Sequence, residues 1–185
     1  YKELRTPEGT LNSNIKAQKS IHYVMGTDFL FYSWGRPFKW ITEVYYKKLQ
    51  NLIPYKVENV RIQYLANDLS NGYAKGIDMK INGEFVSGVE SWASLSIMKT
   101  EEDIVGDIIT NNDGSTSEVG FIARPTDQRL NFSMFFQDYI PRNPNYKMHL
   151  NMIYGTGLTF GPPGSEKHQD ILRMPDYRRV DIGFS

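Results

Sequence analysis

Three things are missing from this sequence. It has no cysteine in 185 residues, which excludes disulfide frameworks, thiolate metal sites and thiol nucleophiles but does not fix the compartment. It has no charge imbalance: Lys plus Arg and Asp plus Glu both total 21. Without a basic excess there is no electrostatic case for nucleic acid as a partner. It also has no apolar run near the roughly 18 residues that a membrane-crossing helix needs. That last exclusion stops at helices, because strands that cross a membrane alternate apolar with polar residues and keep window averages low. The opening residues YKELRTPEGT are polar and carry no signal-peptide stretch, so the chain reads as mature or as a segment of a longer one.

What the sequence does have is aromatic residues (14%) and a strict beat of two. In RLNFSMFFQDYIPRNPNYKMHL, residues 129–150, Leu130, Phe132, Met134 and Phe136 alternate with Asn131, Ser133 and Gln137. After the Pro-Arg-Asn-Pro-Asn break the beat resumes with Tyr146, Met148, Leu150, Met152 and Tyr154 against Lys147, His149 and Asn151. Side chains on a strand point alternately to two faces, so this is a hairpin with one apolar and one polar face. The same reading gives about seven strands: 20–32, 37–48, 75–85, 89–99, the two arms of this hairpin, and 178–185. The strand KGIDMKINGEF is the cleanest, with Ile77, Met79, Ile81 and Phe85 opposing Asp78, Lys80, Asn82 and Glu84.

The connections alternate too. Residues 34–36, 86–88 and 141–145 are short turns of Gly, Pro, Ser and Asn, whereas 49–74, 100–128 and 155–177 are long. This rhythm predicts an all-β, antiparallel up-and-down meander, as in barrels with tight turns on one side of a membrane and long loops on the other. Within the first long segment NVRIQYLA reads as a short strand, and VGDIITNNDGSTSEVG in the second reads as mobile at its centre. Tyr and Trp collect near the strand ends, as they do at bilayer interfaces. Alternation alone also fits a soluble β-protein with its apolar face turned inward.

Chemical motifs are sparse. His22, His149 and His168 share no metal-ligand spacing. In TNNDGSTSE, Ile109 stands where a calcium loop needs its first aspartate, and Gly120 where it needs its closing glutamate. GxSxG, Walker and GxGxxG patterns are absent, and no cofactor, metal site or catalytic group is expected. Asn131-Phe132-Ser133 fits a glycosylation sequon but falls inside an expected strand.

Several phrases together carry a resemblance. AQKSIHYVMGTDF, TEVYYKKLQNLIPY, GYAKGIDMKINGEFVSGVESWASLSIMKT, RPTDQRLNFSMFFQDYIP and MPDYRRVDIGFS occur in that order. Together they resemble the C-terminal part of the β-barrel in TonB-dependent outer-membrane receptors of the Bacteroidetes type. That resemblance implies a segment of a barrel of about 22 strands, with residues 1–19 ending an outer loop and 20–185 forming strands and loops. It implies a Gram-negative outer-membrane location and TonB-energised uptake of a siderophore, cobalamin, glycan or peptide. The implied partners are the TonB complex, the nutrient, outer-membrane lipid and, in some relatives, a surface lipoprotein. The plug, the TonB box, the earlier strands and two closing strands of the family pattern are not matched here. The first and last strands are therefore expected to pair with other polypeptide, or edge to edge.

On this reading nutrient contacts belong to the outer loops. They are Arg61, Gln63, Tyr64, Tyr73 and Lys75 in or near the first, Arg124, Asp127 and Arg129 in the second, and Arg173, Asp176 and Tyr177 in the third. Asp78, Lys80, Glu84, Asn131, Ser133 and Lys147 would face the lumen and the plug. The competing reading is a secreted soluble β-sandwich or barrel that binds carbohydrate.

Overall fold

The computed structural model describes residues 4–6, 9–13, 15–58, 61–65, 69–111, 113–162 and 164–185. Its elements in chain order are β1 (Lys19–Ser33), β2 (Arg36–Leu52), β3 (Tyr55–Glu58), β4 (Arg61–Tyr64), β5 (Ser70–Val86), β6 (Val89–Ile104) and β7 (Ile108–Thr110). There follow β8 (Thr116–Glu118), β9 (Phe121–Ala123), β10 (Leu130–Ile140), β11 (Asn143–Gly155), β12 (Thr159–Phe160), a 3-10 turn (Lys167–Gln169), β13 (Leu172–Arg173) and β14 (Tyr177–Phe184). Seven long strands form one antiparallel sheet in the order β1-β2-β5-β6-β10-β11-β14, and β9 continues the β10 side of β6. The chain is thus an all-β meander, with each long strand beside its predecessor. The sheet is open: β1 and β14 are its outer members.

All seven expected strands are present, most of them longer than the alternation suggested. β5 starts at Ser70 rather than residue 75, and β6 runs on to Ile104. The extra length belongs to the long-loop end. There β3 and β4 pair with each other, as do β7 with β8 and β12 with β13. The β7–β8 hairpin stands in the stretch expected to be mobile, of which Asn112 lies outside the described residues. Asn59, Val60 and Ala66 of the expected NVRIQYLA strand lie outside them as well, while Arg61–Tyr64 is strand. The third short turn is tighter than expected, Pro141-Arg142, because β11 begins at Asn143.

Trp34 and Gly35 both have positive φ, 54° and 72°, which is what a two-residue turn needs to match the twist of its flanking strands. Directly opposite residues share a face, so the register maps both sides of the sheet. On one side lie Met25, Thr27 and Phe29 of β1, then Val44, Thr42 and Trp40 of β2, and Ile77, Met79 and Ile81 of β5. The row continues with Ile97, Leu95 and Ala93 of β6, and with Leu130, Phe132 and Met134 of β10. Met152, Leu150 and Met148 of β11 and Val180, Ile182 and Phe184 of β14 complete it. No position in this band is ionisable. Its one indole N–H, on Trp40, donates to Thr42 Oγ1 at 2.6 Å.

No second layer covers the band among the described residues. Ile77 is 40% exposed, Ile97 45%, Val180 57% and Ile182 64%, values that a two-layer sandwich would not allow. The buried side chains sit instead at the two ends of the sheet. At the short-turn end Phe38 and Val89 are buried, with Phe31, Trp34 and Phe85 packed around the Phe38 ring at centroid distances of 5.0–5.9 Å. At the long-loop end Leu49, Leu52, Ile53 and Ile104 are buried.

Phe38 lies directly opposite Gly83. A Cβ at Gly83 would stand 2.5 Å from the Phe38 ring and 2.7 Å from the Pro37 carbonyl oxygen, so the ring covers a space that only glycine leaves open. Gly83→Ala should therefore lower stability by about 1–3 kcal/mol through overpacking. Denaturant midpoints of the two chains measured in one detergent would check this, and an unchanged midpoint would show that the ring moves aside freely.

Candidate functional site

The long-loop end is where the chain gathers its buried charges. Thr100 and Glu102 occupy polar-face positions of β6, just above the uncharged band. Asp127 reaches them from the turn after β9. Its side chain is fully buried, and both carboxylate oxygens are used. Oδ1 accepts the Thr100 backbone N–H at 2.8 Å, and Oδ2 accepts from Arg129 Nε at 2.7 Å and Arg173 Nη2 at 2.5 Å. Arg173 Nη1 also donates to the carbonyls of Asp127 and Gly157, at 2.8 and 3.1 Å. One carboxylate thus ties the second and third long segments to β6. A buried carboxylate is tolerated when charged donors satisfy its lone pairs in this way.

A second buried carboxylate, Glu102, does the same for the first segment. Its oxygens accept from Ser70 Oγ at 2.9 Å and from Lys167 Nζ, and Arg124 Nε lies 3.6 Å away. Lys167 arrives from the 3-10 turn and lies under the Tyr55 ring, 5.6 Å from its centroid. Burial pushes its ammonium below the ordinary lysine value, a shift only partly offset by the Glu102 carboxylate.

Two cavities open beside this network. One of about 390 Å³ is lined by Lys56, Asp107, Glu166 and His168 among others. The other, of about 440 Å³, lies between Arg5, Thr6 and Gly9 on one side and Gln63 and Tyr64 on the other. Burial raises the Asp107 carboxyl, with Asp103 adding to the effect, and burial also raises Asp170.

The residues expected to contact a nutrient therefore fall into three groups. Gln63 and Tyr64 line a cavity, and Arg61 is exposed beside them on β4. Arg124, Asp127, Arg129 and Arg173 converge, but on each other and on Glu102, as the staple between loops. Tyr73 and Lys75 stand on the apolar side of β5, in line with Ile77. Asp176 accepts the Tyr154 hydroxyl at 2.6 Å and the Gly157 N–H at 3.2 Å, whereas Tyr177 is exposed opposite Gly155.

The positions expected to face a lumen share the polar side, where they bond to one another. Ser96 donates to Asp78 at 2.5 Å, and the Ser94 and Ser133 hydroxyls meet at 2.8 Å. Asn131 donates to Gln128 at 3.2 Å. Lys80 sits over the Trp92 ring and Lys147 over the Tyr139 ring, 5.4 and 5.5 Å from the centroids. A depression of about 360 Å³ runs over Glu43, Asp78, Lys80, Ser96 and Asn131. Glu84 departs from this ladder. A register shift after Gly83 turns it down, and its carboxylate accepts the Gly88 N–H of its own turn at 3.1 Å.

Sequence reasoning missed Glu102 and Lys167, which lie 65 residues apart and belong to no motif. Comparison with family models, with characterised proteins and with solved structures returns no match.

Two outcomes follow for the loop end. Asp127→Ala leaves Arg129 and Arg173 without their shared acceptor. It should cost at least about 2 kcal/mol and open the 124–128 and 157–173 backbones to hydrogen exchange ahead of the mid-strands. Unchanged exchange there would remove the staple. In a carboxyl NMR titration Asp170 should titrate above, and Asp176 below, the ordinary aspartate value, because burial disfavours the first anion while the Tyr154 hydroxyl favours the second. The reverse order would contradict both environments.

Proposed function

We propose that this chain forms part of the wall and outer loops of an outer-membrane β-barrel, in a receptor that takes up a nutrient with energy delivered through TonB. The observation that carries the reading is the uncharged band across all seven long strands, flanked by aromatic residues and uncovered on its own chain. Along β2, Tyr46 and Phe38 bracket the band eight residues apart. At about 3.4 Å per residue and a tilt near 40° that is about 20 Å, close to the apolar height of a membrane barrel. No helix among the described residues is long and apolar enough to cross a membrane, so any crossing belongs to the strands.

In this reading lipid covers the band, and the hydrogen-bonded polar side borders water and the plug. The loop end, with its two cavities, meets the nutrient. The resemblance of five ordered phrases to TonB-dependent receptors supports active uptake rather than passive flow. The plug and the TonB contact are supplied from outside these 185 residues. The open edges of β1 and β14 are completed by further strands, since unpaired N–H and C=O groups are not tolerated in hydrocarbon.

The absence of cysteine makes the test clean. Phe132→Cys and Asn131→Cys place single thiols on adjacent residues of opposite faces. In lipid, a membrane-impermeant maleimide should label the Asn131→Cys chain and spare the Phe132→Cys chain, with the contrast lost on full denaturation. Equal labelling of both, or labelling of Phe132→Cys alone, would overturn the orientation and the proposal with it.

A further inference from the structure

The apolar side of the sheet changes character at its upper rim. Above the uncharged band, Tyr23 of β1, Tyr46 of β2, Tyr73 of β5 and Phe121 of β9 form a continuous row, with successive ring centroids 6.5, 6.1 and 5.5 Å apart. Among these rings stand three lysines of the same face. Lys48 lies opposite Tyr73, and Lys75 lies opposite both Tyr46 and Lys99. Lys75 Nζ is 5.2 Å from the centre of the Tyr73 ring. The nearest carboxylate, Glu101, is already shared: it pairs with Lys99 at 2.6 Å and accepts the Tyr73 hydroxyl.

Like charges set directly opposite each other on a strand pair are destabilising. Here Lys75 and Lys99 are so placed, with Lys48 beside them, and the same face offers two carboxylates, Glu101 and, beyond it opposite Phe121, Asp103, for three ammonium groups. Lys48 and Lys75 are exposed. An excess of positive charge beside stacked tyrosines, on the apolar side of a sheet, matches an anionic group held just outside hydrocarbon.

We propose that Lys48, Lys75 and Lys99, framed by Tyr46 and Tyr73, bind the phosphate of a lipid headgroup at the outer margin of the band. The inference rests on the membrane orientation argued above. The phosphate neutralises the opposed lysines, the tyrosines sit at headgroup depth, and the acyl chains run down over Val44 and Ile77. Of Tyr73 and Lys75, both first read as nutrient contacts, the site makes lipid contacts instead.

The test is flotation of the full chain with vesicles of phosphatidylcholine alone and of phosphatidylcholine containing phosphatidic acid. The unaltered chain should prefer the phosphatidic-acid vesicles, and high salt should abolish the preference. Lys75→Gln with Lys99→Gln should reduce it by about thirtyfold, the expectation for two lysines at a charged bilayer surface. Lys47→Gln, one residue from Tyr46 but on the polar side, should leave it intact. Equal binding to both vesicles overturns the phosphate site while leaving the membrane reading in place. Binding to neither overturns both. Displacement by inorganic phosphate at matched concentration would reassign the lysines to a soluble anion and overturn the lipid assignment. The salt dependence of the unaltered chain decides the matter even if the double variant fails to fold.

Discussion

A single sheet has two faces, and among the described residues no second layer covers the apolar one. The side chains of that band therefore depend on what lies outside the described residues. Between the two open edges of the sheet the backbone is satisfied strand to strand, but side chains at i and i+1 meet different surroundings. Burying one valine, leucine, isoleucine, phenylalanine or methionine is worth about 1.5–3 kcal/mol, and the band offers seventeen such positions. A cover for that face thus outweighs any other term in the sheet's stability, and the charge-free composition of the band suits an apolar one. The two threonines of the band oppose each other, Thr27 against Thr42, and the second receives the Trp40 N–H, so even the polar atoms there have local partners.

The two ends of the sheet are held by different physics. At the short turns the strands close with two-residue loops, and a ring cluster about Phe38 supplies the packing. At the long loops Leu49, Leu52, Ile53 and Ile104 are buried, and two carboxylates join the connecting segments. Asp127 and Glu102 are buried among arginine, lysine and backbone donors, an arrangement that is costly to break but adds little net stability over an apolar equivalent. What it supplies is geometry. Each carboxylate accepts from donors far apart in sequence, so three long segments hold one arrangement over the polar side of β6. The cavity beside His168, which Lys167 helps to line, inherits its shape from it.

Strands and faces were legible in the sequence because period two needs no tertiary information. Counting from Ile77 also places Tyr73 and Lys75 on the apolar side, by parity alone. An expected strand start at residue 75 hides that signal, because it leaves Tyr73 in the loop. The staple was not legible. Asp127, Arg129 and Arg173 read as free loop charges, and only their convergence shows that they are occupied with each other, while Arg124 Nε is buried 3.6 Å from Glu102. Glu84 looked like the next rung below Lys80 until the register shift after Gly83 turned it to its own turn. Alternation predicts a face only as far as the next bulge.

The polar side carries the last step of the argument. Ser96 is bonded to Asp78 and Ser94 to Ser133 across strands, and Lys80 and Lys147 lie on aromatic rings. Asp28 pairs with Lys39 at 2.5 Å in the same manner. A surface that had to grip a ligand by itself would leave donors unsatisfied and pointing outward. A surface that only bounds a watered space gains from satisfying them in place, because that fixes the wall without demanding a partner. In the uptake mechanism proposed above, the wall is therefore the still part. On that proposal recognition falls to the loop end and motion to the plug, and the strands described here would contribute rigidity and the boundary between lipid and water.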